Sequence, residues 1–112
     1  MAVGDRSESR MVGPVALSTS NALITGATVP ASRQWIIKQV TVCNTSGTEA
    51  LVYLAIGSAN TPSNRFMSGV PVAANDVLVF DTGIVMSATE QLYGYSDYSG
   101  VNVIVNGWVK EV

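Results

Sequence analysis

The run Trp35-Ile36-Ile37-Lys38-Gln39-Val40-Thr41-Val42-Cys43 constrains the fold more than any other segment of the chain. It is rich in β-branched residues and holds neither Gly nor Pro, as a central strand requires. Leu51-Val52-Tyr53-Leu54-Ala55-Ile56 reads as its partner, reached through Asn44-Thr45-Ser46-Gly47-Thr48-Glu49, whose residues suit a chain reversal. Both strands are nearly apolar on two faces, which predicts a sheet covered by a second sheet on one side and by another subunit on the other.

From Val15 onward, short segments of the same kind alternate with Gly/Asn/Ser/Pro clusters. They place strands at 15–18, 22–29, 34–43, 50–57, 65–68, 77–81, 91–96 and 101–110. Leu92–Ser96, a turn at Asp97-Tyr98-Ser99-Gly100, and the alternating Val101, Val103 and Val105 read as a closing hairpin. Ala74-Asn75-Asp76-Val77-Leu78 and Ala88-Thr89-Glu90-Gln91-Leu92 share one pattern, in which a turn acid bonds nearby backbone amides before a strand. No stretch has sustained helical periodicity with caps. About eight strands predict an all-β fold, an antiparallel two-sheet β-sandwich. Its strand order, immunoglobulin-like or jelly roll, stays open.

Charge is unevenly placed. Of the fourteen charged residues among 112, Asp5, Arg6, Glu8 and Arg10 fall in the first ten. Residues 1–13 read as an extended N-terminal arm closed by Gly13-Pro14, and 14–112 as the sandwich domain. In an assembly the arm would order against a partner, with Arg6 and Arg10 as charged contacts and Met11 and Val12 as apolar anchors. The chain is 47% apolar, and beyond its first ten residues it holds so few charges that exposed apolar patches, the usual mark of association, are expected.

The same composition weakens several function classes. With no histidine, the usual general base, the Ser-His-Asp and Cys-His arrangements and the commonest zinc ligand are missing. Glu49, Asp76, Glu90 and Asp97 fall in turns, where acids are ordinary, and no spacing brings Asp81 or Glu111 to another acid. No catalytic residue, metal ligand or cofactor is therefore assigned, and calcium ligation has no acid cluster to rest on. A net charge of −2 with scattered bases speaks against nucleic acid. The start lacks an apolar core for a signal peptide, and Pro14, Gly26 and Pro30 break the uncharged run 11–32, so no membrane span is expected. Cys43 follows Val40 and Val42 and reads as a buried, inert thiol. Asn44-Thr45-Ser46 fits a glycosylation sequon but is more simply a turn, and 60–64 reads as a surface loop. Trp35 and Trp108 bracket strand ends and suit core or interface burial.

Tyr93 and Tyr95 share a strand face and Tyr98 follows in the turn. Cross-strand packing explains that alternation. The same three rings would also serve as a contact patch for a protein or a sugar.

The run from Arg33 to Ser46 resembles small β-sandwich virion structural proteins of tailed bacteriophages, of the capsid decoration, head-fibre or minor tail type. So do Val52–Gly57, Val72–Asp76, Leu92–Tyr95 and the ending Asn106-Gly107-Trp108. The resemblance covers roughly residues 22 to 110. It implies a non-enzymatic structural protein, most simply a decoration protein cementing the exterior of a phage head and made in the host cytoplasm. The expected partners are the major capsid protein or other virion proteins and further copies of this chain, with a trimer favoured. A minor tail or head–tail adaptor component, or a carbohydrate-binding module for host attachment, are the alternatives.

Overall fold

The computed structural model describes residues 6–57 and 62–112, with the side chains of Arg6 and Pro62 outside that description. Strands run β1 Arg6–Ala16, β2 Ala22–Thr28, β3 Arg33–Asn44, β4 Ala50–Gly57, β5 Arg65–Val72, β6 Asp76–Met86, β7 Gln91–Ser96 and β8 Val101–Glu111, with one 3-10 turn at Pro62–Asn64. They form two four-stranded antiparallel sheets in the orders β1-β8-β3-β6 and β2-β7-β4-β5. That order settles the open alternative: the sandwich is a jelly roll.

Alternation builds the core. β3 turns Trp35, Ile37, Val40 and Val42 inward, and β8 adds Val101, Val103 and Val105. From the facing sheet come Ile24, Val52, Leu54, Met67, Val72 and Leu92. The buried polar Asn44 is fully engaged: its Nδ2 donates to the carbonyls of Thr48 (2.8 Å) and Val72 (3.0 Å), and its Oδ1 accepts from the Ser46 amide and hydroxyl. This amide pins the turn after β3, so the sequon is a turn here and its asparagine is closed to solvent. The two similar segments also behave alike. Asn75 and Thr89 both take positive φ, the Asp76 carboxylate accepts from the Val77 amide, and that of Glu90 from the Ser87 amide.

Several expectations are corrected. β3 and β4 are not partners, and β7 and β8 do not form a hairpin, because each pair divides between opposite sheets. Turn chemistry reverses a chain equally well within a sheet or across a corner. Among the described residues, only β4 and β5 pair as consecutive strands. The first strand is Arg6–Ala16 rather than 15–18, so most of the expected arm is β1, hydrogen-bonded along β8. As an edge strand it carries polar residues that hid its period, with Ser7, Glu8 and Arg10 exposed. β5 and β6 run on past Gly69, Pro71 and Gly83, residues an edge strand tolerates. Cys43 points outward and is only partly buried, since the inward positions beside it are Val42 and Asn44.

Candidate functional site

Two outer sheet faces carry the exposed chemistry. On the first sheet, register sets Cys43 opposite Val77, Thr41 opposite Val79, Gln39 opposite Asp81 and Ile36 opposite Val85. Across β3, β8 supplies the outward Asn102, Ile104, Asn106 and Trp108. Val77, Val79 and Val85 are each about half exposed, at 50%, 51% and 49%, along the edge strand β6. Trp108 is half-buried on this face, whereas Trp35 lies in the core.

The ladder shifts between Ile37 and Gln39, leaving Lys38 as an extra, exposed residue. A bulge of this kind bends and twists a sheet locally. It is possible because the opposing residue is Gly107: a Cβ there would collide with the Ile36 carbonyl and approach the Lys38 amide to 2.9 Å. An open depression of about 430 Å³ follows, lined by Glu8, Ser9, Arg10, Lys38, Asn106, Gly107 and Trp108.

The second sheet ends differently. Tyr53 and Tyr95 are register partners whose rings stack at 4.5 Å with planes 8° apart. The Arg65 guanidinium lies 4.9 Å from the Tyr53 centroid and 5.9 Å from that of Tyr95, over the seam of the pair. Such a cation adds roughly 0.5–1 kcal/mol at an exposed site. Tyr93 donates to Gln91 (3.1 Å), which donates in turn to Thr28 (3.3 Å), and it sits opposite Leu23, which is 42% exposed.

The sequence-derived residues are thus redistributed. Tyr93 and Tyr95 do share a face, while Tyr98 stands in the turn, 47% exposed. Tyr53 and Arg65 complete the patch and were missed. Tyr53 sat in plain alternation, but nothing local says which strand lies beside it. Of the arm residues, Arg10 lines the depression, and Arg6 has its side chain outside the described residues. Met11 packs against the core, and Val12 is buried in it at 3% opposite Val105. The acids are tied locally: Asp97 accepts from the Leu51 amide (2.7 Å), Glu111 from Arg33 (3.2 Å) and Asp81 from Gln39 (3.3 Å). Among the described residues no three acids or cysteines cluster.

No protein-family model matches the sequence, and no curated protein matches it. Among solved structures, the chain is similar to one from the T13 particle of infectious bursal disease virus, with TM-score 0.50 and 11% identity. That match covers 98% of this chain and 29% of the viral one, so the chain spans under a third of its length. It also matches a chain of Bacillus endospore appendages, disulfide-linked pili (TM-score 0.49, 9% identity, covering 98% and 88%). A third match is a pentameric capsid protein from metagenomic phage sequences (TM-score 0.36, 14% identity, covering 88% and 59%). What the viral particle chain shares with this one is the fold.

Proposed function

We propose that the chain is a non-enzymatic virion structural protein, and specifically a decoration protein that cements the outer surface of a phage head. The observation that carries this reading is the row Val77, Val79 and Val85, left half exposed on a jelly-roll face beside Ile36, Ile104 and Trp108. The viral particle chain shares only the fold with it, and that fold is consistent with a role in a shell.

Magnitudes say how such a face must work. Fully burying a valine contributes about 1.5–3 kcal/mol, so the exposed halves of three contribute roughly 2–4 kcal/mol together. Association costs about 4–15 kcal/mol in lost freedom. The row therefore holds a copy only together with the rest of the face, or with several copies engaged at once. A homo-oligomer, with a trimer as the proposed state, meets that requirement at three-fold positions of a shell. The partners are then the major capsid protein and further copies.

Cryo-electron microscopy of purified virions carrying the chain tests this directly. Density on the head exterior at hundreds of copies is expected. A handful of copies at a tail or a head–tail ring would replace decoration by the adaptor role. Presentation of a sugar platform is less well supported, because Tyr53 and Tyr95 cover each other's faces and Arg65 covers their seam. Glycan-array binding lost on Tyr93→Ala would reinstate it.

A further inference from the structure

Among the described residues, β1 and β6 are the two edge strands of the first sheet, and they differ in character. β6 carries only acids among its charged residues, Asp76 and Asp81, and has no Lys, Arg or Pro along its eleven residues. Lysine and proline are the usual devices that keep an edge from pairing. The opposite edge, β1, carries Arg6, Glu8 and Arg10. Its ladder with β8 is regular from Arg6 to Arg10 and breaks only beyond that point.

Direction also matches. Three successive antiparallel pairings, β1 with β8, β8 with β3 and β3 with β6, make β6 run opposite to β1. A copy displaced sideways within the plane of the sheet therefore presents its β1 antiparallel to this β6, as a two-strand ladder needs. The rows crossing the sheet show which residues end level at the two edges. Arg10 faces Asn106, Asn106 faces Gln39, and Gln39 faces Asp81, so Arg10 and Asp81 end the same row at opposite edges. Glu8, Trp108, Ile36 and Val85 form another row, offset by two residues because β6 spends three residues between Asp81 and Ile84 where β1 spends one between Arg10 and Ser9. Only one of the two rows can therefore be continued in a regular ladder.

We infer that the β6 edge of one copy pairs with the β1 edge of a second, extending the first sheet between subunits, with Asp81 set against Arg10 at the seam. In that register Gly83 lies opposite Glu8 and Ile84 opposite Ser7. The contact is head-to-tail, so it closes into a ring or continues as a strip according to the rotation between copies. This deepens the proposed oligomeric role by naming the contact that would build it.

Cysteine pairing tests it on the full chain in a Cys43→Ser background. Arg10→Cys and Asp81→Cys proteins are oxidised separately at high concentration and then as a mixture. Neighbouring strands bring paired Cα atoms within disulfide reach, roughly 4.4–6.8 Å. Cross-linking in the mixture alone is expected. Cross-linking of Asp81→Cys by itself indicates a two-fold β6–β6 contact and overturns the inference, as does the absence of any cross-link. In parallel, Asp81→Arg is expected to weaken self-association about 5-fold, and adding Arg10→Asp to restore most of it, given the modest worth of an exposed ion pair. Virions that keep normal amounts of Asp81→Arg protein on the head, with no cross-link in solution, would sink this seam while leaving the decoration role standing.

Discussion

On the second sheet, Tyr53 and Tyr95 stack under Arg65, so the largest outward groups cover one another. On the first, Val77, Val79 and Val85 stand along β6 and each stays about half exposed. Residue type is only part of the difference. Tyr53 and Tyr95 lie on adjacent inner strands in register, so each finds a partner within its own chain. The valines sit on a strand with a neighbour on one side only, and Cys43, Thr41 and Ile36 cannot reach around them. An edge position converts ordinary alternation into an open surface.

The first sheet depends on its other edge as well, and removing that edge gives the largest expected effect. Deleting residues 1–12 takes away most of β1 and the buried Val12, uncovering β8. A loss of more than about 4 kcal/mol is expected, a large part of a typical domain's stability. Urea unfolding measures it. An unchanged midpoint would mean that β1 is a dispensable arm after all.

Glycine substitutions compare the sheets next. A Cβ at Gly107 meets only backbone atoms, of Ile36 and Lys38, whereas one at Gly94 meets first two side-chain ends, the Leu54 Cδ2 at 2.5 Å and the Ile24 Cδ1 at 3.1 Å, and then the Tyr53 carbonyl at 3.2 Å. Gly107→Ala should cost about 3 kcal/mol and Gly94→Ala about 1–2 kcal/mol, because side chains yield and a ladder does not. Equal costs would show that the bulge opposite Gly107 adapts freely.

A double-mutant cycle on Tyr53→Ala and Tyr95→Ala sharpens the other half of the comparison. A coupling of about 1 kcal/mol is expected for a stacked pair. Val79→Lys should change stability by no more than about 0.5 kcal/mol, the scale for an exposed site. It should at the same time strip the protein from virions. Destabilisation well beyond that scale would place Val79 within the fold's own packing.

The strands β2, β3, β4, β7 and β8 were legible because runs rich in β-branched and aromatic residues between turn clusters are a local signal, sharpened in β8 by its alternating valines. β1 was not, since Ser7, Glu8, Ser9 and Arg10 give an edge strand the composition of a solvated tail. Pairing was misread for the same reason in two places: the residues after Asn44 and after Ser96 specify a reversal and say nothing of which sheet receives the next strand. The shared face of Tyr93 and Tyr95 follows from spacing alone. Their partners Tyr53 and Arg65 belong to other strands, and cross-strand neighbours are set by the sandwich as a whole.

β8 lies between β1 and β3, although it is the final strand in chain order. As the ribosome extends the polypeptide, β1 emerges first and must wait for the last segment before it has any ladder. β3 meanwhile has only one flank occupied. Assembly of this layer is therefore postponed until synthesis of the domain is nearly over, and such non-local pairing is slow to form. Nascent chains arrested before Val101 should remain open to proteases, and chains carried past Glu111 should become resistant.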